Sequence, residues 1–245
     1  MIVSKIRVLL YHSVSSDGHR DPLTVSKDQL EEHFRYLKAK GYSSISLSQL
    51  IAYHRHEEPL PPKPVLITFD EGFKNCFDLA YPLAKAYGMK INLFLVPAFM
   101  LRGTYINLPC MGINELSQMD PALVETALHS FMHQRYAELT PAQVEADIDI
   151  CQRYLDGLGI RYQPCLAYPH GAYPGNDGVL QPWMSDILDQ KGIQLAFGEG
   201  NCITGLPLRD PFLIGRYDVK GGDSFRTFRW RLRLISGKFL GHRGG

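Results

Sequence analysis

The sequence has few cysteines, no long apolar runs and almost no net charge, and each shortage removes a class of protein. Its five cysteines (Cys76, Cys110, Cys151, Cys165 and Cys202) are odd in number and scattered, with no Cys-x-x-Cys. That argues for reduced thiols and against both a disulfide framework and a structural zinc cluster. Lys and Arg number 26 against 25 Asp and Glu, a formal net charge of +1, so no global field draws nucleic acid or an acidic partner. No apolar stretch approaches membrane-spanning length. Met1 to Leu10 carries two basic residues and a short apolar run but no cleavage pattern, so no signal peptide is expected. The expectation is a cytoplasmic or membrane-peripheral protein. There is no internal repeat and no low-complexity tract. The chain of 245 residues, 45% of them hydrophobic, suits one barrel-sized domain over residues 1–245 better than two.

Short apolar runs alternate with amphipathic segments. Ile6–Tyr11 reads as a strand, followed by a helix that opens on the capping-box pattern Ser26-Lys27-Asp28-Gln29 and ends before Gly41. Ser43–Leu47 reads as a short strand and Ser48–His54 as a short helix. Glu57–Pro64 holds four prolines and reads as an extended connector. Val65–Phe69 (strand), Cys76–Tyr87 (helix closed by Gly88) and Ile91–Val96 (strand) follow. Thr140-Pro141-Ala142-Gln143 starts a helix to about Leu155, and Leu166–Tyr168, Gln194–Phe197 and Leu213–Arg216 are further strands. Pro97 to Leu128 reads as an irregular, functional loop with one helix around Ile113–Met119. Strands alternating with helices imply parallel βα units in a barrel or large open sheet.

Val65-Leu66-Ile67-Thr68-Phe69-Asp70-Glu71-Gly72 is the most informative stretch. A buried strand that ends in two acids needs a partner for them, because unpaired buried carboxylates are expensive. In parallel α/β folds, strand C-termini are where catalytic groups gather. An ordinary acidic turn is the competing reading of Asp70 and Glu71. His129 and His133 stand at i, i+4, the spacing of one helical face. Two imidazoles there can grip a zinc-like ion, with a carboxylate completing the set; two unrelated surface histidines are the alternative. Ala167-Tyr168-Pro169-His170-Gly171-Ala172-Tyr173 follows a strand as a rigid loop able to aim a backbone N–H into a pocket, and Leu10-Tyr11-His12-Ser13 ends another strand.

In this order the pieces resemble the polysaccharide deacetylase family, carbohydrate esterase family 4, in its bacterial exopolysaccharide branch. Thr68-Phe69-Asp70-Glu71-Gly72 is similar to the motif Thr-Phe-Asp-Asp-Gly. His129-Ser130-Phe131-Met132-His133 fits His-Ser/Thr-x-x-His, and Ala167–Gly171 resembles Ala-Tyr-Pro-Tyr-Gly. Leu9–Val14, the Val25–Leu50 region and Gly215-Arg216-Tyr217-Asp218-Val219 extend the likeness over nearly the whole chain. The resemblance implies a distorted (β/α) barrel of about seven parallel strands. It also implies a metal-dependent hydrolase that removes N-acetyl groups from N-acetylhexosamine units of a bacterial envelope or exopolysaccharide. Carried over, Asp70 would be the general base, and Glu71, His129 and His133 would bind a divalent metal, zinc first, with cobalt or nickel as alternatives. The backbone N–H of His170 would face the oxyanion, and Tyr168, Pro169 and Tyr173 would line the substrate site.

Several positions depart from the family pattern. Glu71 replaces the second aspartate, and its extra methylene carries the carboxylate about 1.5 Å outward. The arginine that precedes the third motif is absent, so another group must orient Asp70. His170 replaces a tyrosine and could itself serve as an extra ligand or acid. No late Leu-x-Leu-x-His motif is visible, since His242 sits in Leu240-Gly241-His242; His12 is the expected general acid in its place. A small non-sugar amide, an acetyl ester, and a silent glycan-binding scaffold are the alternative readings. Tyr105, Tyr168, Tyr173 and Trp183 are the aromatics that could line a polymer groove. The basic amphipathic segment 225–245 reads either as a weak contact with an anionic membrane surface or as a terminal helix packed on the barrel.

Overall fold

The structure, a computed structural model, describes residues 4–176, 178–200 and 203–233. Among these residues, seven strands close into a parallel barrel: β1 Lys5–Tyr11, β2 Pro64–Phe69, β3 Ile91–Leu95, β4 Val124–Leu128, β5 Cys165–Ala167, β6 Leu195–Glu199 and β7 Ile214–Asp218. They follow one another in space in chain order, and β7 returns to β1 through Leu9 opposite Tyr217 and Leu10 opposite Asp218. The β1–β2 register, from Arg7 opposite Val65 to Tyr11 opposite Phe69, brings both strands to the same C-terminal edge.

β2 is buried at every position, as expected of a parallel strand covered on both faces. Side chains alternate along each strand. One set (Ile6, Val8, Leu66, Phe94, Ala127, Cys165, Ala167, Leu195, Phe197 and Ile214) packs together inside the barrel. The alternate set, including Leu9, Tyr11, Ile67, Phe69, Leu93 and Leu95, packs in the layer beneath the helices. That parity points Thr68 and Asp70 inward along with Leu66, and Arg216 inward along with Ile214.

The helix Leu47–His54 plugs the N-terminal mouth of the barrel. Leu47, Leu50 and Ile51 join the interior cluster. The first turn is held by polar side chains at the starts of β3 and β4. Asn92 Oδ1 accepts from Leu47 N at 3.0 Å, and both Glu125 oxygens accept from Ser48. Asn92 Nδ2 also donates to Ile45 O at 3.3 Å and Ile67 O at 3.1 Å.

Several elements differ from the sequence expectation. Pro97–Leu128 is not one irregular loop: it holds the helix Pro97–Arg102, a hairpin pairing Thr104–Tyr105 with Leu108–Pro109, a short helix Ile113–Leu116, and β4. β4 was hidden because its inward Glu125 looks like a loop residue until its role in capping Leu47–His54 is seen. The helix from Cys76 opens with a π turn over Cys76–Ala80 before the α turns Tyr81–Tyr87, which Gly88 ends at φ 64°. Ser26 Oγ accepts from Gln29 N, but the Gln29 amide donates to Lys220 O and Asp223 O rather than closing the capping box. The helix Pro182–Gln190 had no expected counterpart. Of the basic C-terminal segment, Phe225–Arg231 is a helix. Phe228 is buried there and stacks on His33 with 3.7 Å between centroids. Residues from Leu234 on, including Lys238, His242 and Arg243, lie outside the described residues, as does Cys202. No helix among the described residues is long and apolar enough to cross a membrane.

Asn92 is the only side chain that bonds the plug helix and two strand carbonyls at once among the contacts described above. Asn92→Ala should leave Leu47 N, Ile45 O and Ile67 O short of partners and lower the unfolding free energy by about 2–3 kcal/mol. Urea denaturation checks this, and an unchanged midpoint would show that the plug does not depend on Asn92.

Candidate active site

The acids, the histidines and the Pro169–Gly171 turn singled out for chemistry lie at the C-terminal end of the barrel. Asp70 follows β2, His129 follows β4, His12 follows β1, and Pro169–Gly171 follows β5. Two successive left-handed residues, Glu71 at φ 62° and Gly72 at φ 72°, turn the chain so that both adjacent acids face the same space. At φ 72° a side chain on Gly72 would be strained, and its Cβ would come within 3.1 Å of Leu95, so the turn favours glycine. The chain holds Asp70 in place through Asp70 N donating to Tyr11 O at 3.0 Å.

Glu71, His129 and His133 are brought together, with one ligand-capable atom from each within 4.8 Å of the others. His133 Nε2 lies 3.3 Å from Glu71 Oε1, and His129 Nε2 lies 3.7 Å from it. His129 Nε2 is also 3.4 Å from Asp70 Oδ2. All four side chains are buried. The Nδ1 of His129 stands 2.8 Å from the Ala167 carbonyl, which can only accept, so Nδ1 carries the proton and Nε2 presents a lone pair to the centre.

The i, i+4 spacing does not come from a helix. Ser130 and His133 have φ of 64° and 60°, left-handed values that cost roughly 1–3 kcal/mol each in non-glycine residues, and residues 129–133 form a loop. Its backbone is tied by Phe131 N and Met132 N donating to the Asp147 carboxylate at 2.9 and 3.2 Å. Ala98 N also donates to Phe131 O at 3.1 Å.

Burial would raise the Glu71 carboxyl, but the charge of His12 and the closeness of His129 and His133 hold it well below the usual carboxylate range. Burial works against a proton on His129, yet the Asp70 and Glu71 carboxylates raise its pKa. At His133 burial prevails and lowers it. Glu71 Oε2, His133 Nε2 and His12 Nδ1 are buried without a hydrogen-bond partner. Buried lone pairs left unmatched in this way are costly, and a carboxylate with two imidazoles is a donor set suited to zinc and similar divalent ions. The residues present therefore fit a divalent metal.

The group that orients Asp70 is Arg216, from β7. Its Nη1 donates to Asp70 Oδ1 at 2.7 Å and its Nη2 to Oδ2 at 2.8 Å. The guanidinium lies 5.5 Å from the centre of the Phe94 ring beneath it. Sequence reasoning noted Arg216 within a motif but gave it no role; the available signal was an arginine on the inward parity of an otherwise apolar strand.

The remaining candidates divide. His170 takes a left-handed φ of 56° at the turn after β5 and lies exposed, its ring 4.4 Å from that of His133. Gly171 is required beside it, because a Cβ there would meet Glu199 at 2.7 Å. Tyr173 is half-buried, and its hydroxyl accepts from Gly178 N at 3.2 Å. Pro169 is buried. Tyr168 does not fit the expectation of a substrate-facing side chain: it is fully buried, with its hydroxyl donating to Phe212 O at 3.0 Å. Tyr105 stands by the site instead, stacked on Phe99 at 3.9 Å and edge-on to His133 at 5.7 Å.

Residues 57–181 match the family model described as polysaccharide deacetylase; the match takes in Asp70, Glu71, His129, His133 and His170 and leaves out His12 and Arg216. The YxkH protein of Bacillus subtilis (strain 168) is 28% identical over 170 residues, 69% of this chain and 58% of that protein. The poly-beta-1,6-N-acetyl-D-glucosamine N-deacetylase of Staphylococcus aureus (strain MRSA252) is 24% identical over 183 residues, 71% of this chain and 60% of that one. The chain thus spans under two thirds of the length of these relatives. The solved structure of the Streptococcus pyogenes deacetylase PplD in complex with acetate superposes with a TM-score of 0.81 at 18% identity, covering 96% of this chain and 100% of that one, so the barrel is shared.

Arg216→Met should strand a buried carboxylate and cost about 3–5 kcal/mol of stability. Adding Asp70→Asn should recover most of that loss. Chemical denaturation of the two single variants and the double variant reads this directly; additive losses would mean that the pair is not coupled.

Proposed function

This chain belongs to the polysaccharide deacetylase family, and we propose that it removes N-acetyl groups from N-acetylhexosamine units of a bacterial envelope or exported polysaccharide as a metal-dependent hydrolase. The observation that carries the proposal is the convergence of Asp70, Glu71, His129 and His133 in one buried space, with Asp70 gripped from behind by Arg216. Glu71, His129 and His133 would hold the metal, zinc before cobalt or nickel. A divalent ion there supplies Lewis acidity to the acetamide carbonyl and makes a nearby water more acidic.

The protein's own groups account for the rest of the chemistry. Asp70 takes the proton of the attacking water; with both its oxygens held by Arg216, it cannot rotate away from the site. The backbone N–H of His170, at the left-handed turn, is the donor for the developing oxyanion. An amide nitrogen leaves poorly unless protonated, and His12 is the proton donor in this proposal. It is buried at the end of β1, with a ring nitrogen, Nδ1, that has no hydrogen-bond partner. Tyr105 beside His133 supplies an aromatic wall for a sugar ring.

The test uses the zinc-loaded protein and oligomers of β-1,6-linked N-acetylglucosamine, the chemistry in the name of the S. aureus relative, with acetate release as the readout. Asp70→Asn and His12→Ala should each lower turnover by about 10²–10⁴-fold while retaining the metal. Loss of metal on His12→Ala would make His12 a ligand or a structural group. Equal rates on the N-acetylglucosamine monomer and on longer oligomers would move the substrate to a small amide.

A further inference from the structure

We infer that Asp147 is a positioning residue for the metal site, whose buried carboxylate fixes the Phe131–His133 backbone so that the His133 imidazole meets Glu71 and His129. The inference rests on reading those three residues as metal ligands.

The two histidines are anchored differently. His129 is tied to the barrel itself: its N–H donates to Leu95 O at the end of β3 at 2.9 Å, and its Nδ1 bonds Ala167 O. His133 has no such tie to a strand among the described contacts. Its N–H donates to Ser130 Oγ at 2.7 Å, within the loop. The loop is held from outside by Asp147, on the helix Pro141–Gly157. One Asp147 oxygen accepts from Phe131 N at 2.9 Å and Tyr136 OH at 2.8 Å, and the other from Met132 N at 3.2 Å.

An acid is not what the helix needs at that position. Asp147 falls in the buried stripe with Val144, Ile148 and Cys151, where an apolar side chain would pack without desolvating a charge. No Lys, Arg or His side chain pairs with it among the described residues, so its compensation comes from the loop it holds. Charge-assisted bonds to consecutive backbone N–H groups are stronger than neutral ones, and here they impose a shape that the chain resists: Ser130 and His133 are both left-handed. Groups that orient a metal ligand characteristically alter metal affinity by about 10–100-fold when removed.

The test measures zinc affinity by chelator competition, and the visible spectrum of the cobalt-loaded protein, for wild type, Asp147→Asn and Tyr136→Phe. An amide at 147 can accept through only one of its two ends, so Asp147→Asn should weaken zinc by about 10–100-fold and shift the cobalt bands. Tyr136→Phe, which removes one of the donors to the carboxylate, should do the same to a smaller extent. A role confined to folding would lower the melting temperature and leave both readouts unchanged well below it, and that result would overturn the inference while leaving the metal site standing. Should Asp147→Asn fail to fold, Tyr136→Phe decides: weakened zinc binding supports the inference and unchanged binding overturns it. Zinc retained by neither wild type nor variant would instead overturn the site reading, and this inference with it.

Discussion

A carboxylate turned into a barrel interior stays charged only if a cation meets it at the same depth, and Asp70 meets Arg216 there. The pair is almost wholly buried, so its geometry must satisfy both partners: two parallel N–H to oxygen bonds of 2.7 and 2.8 Å, the arrangement in which a guanidinium matches a carboxylate best. The pair also joins β2 to β7, strands that do not pair with each other because β1 lies between them. The pair therefore links the ends of these two strands past β1 while leaving further lone pairs on Asp70 facing the site.

The rest of the site is organised around that fixed acid. Glu71 follows it through a left-handed turn and reaches the same space. β4 delivers His129 in register with the end of β3, since Leu95 pairs with Leu128. β5 contributes the Ala167 carbonyl that sets the His129 tautomer, and the turn that follows it places His170 beside His133. Four strand ends thus converge on one small volume, and the register of the closed barrel fixes their relative heights. The opposite mouth is covered by the Leu47–His54 helix on Asn92 and Glu125, at the end away from the chemistry.

How much of this was legible in the sequence depended on whether the signal was local. The apolar run ending in Asp70-Glu71-Gly72 announced both the strand and its acids, because a buried β strand and a glycine turn are short-range features. The His129 and His133 pairing was visible as spacing, but spacing suggested a helix; the left-handed Ser130 and His133 are sustained by Asp147 and Ala98, which are distant in sequence. Arg216 as the partner of Asp70 was not legible, since the pairing exists only once the barrel closes and sets β7 against β1, one strand away from β2. β4 was missed because Glu125 serves another element, and Tyr168 was read as facing substrate because the parity of β5, which turns it beneath the helices, was not known.

The central claim is that Glu71, His129 and His133 form one metal site despite the glutamate. Zinc bound per chain after loading and removal of excess, for wild type beside His129→Ala, tests it without any assumption about substrate. The account predicts close to one equivalent in the wild type and far less in the variant. No retained zinc in the wild type, or the same amount in both proteins, would contradict it.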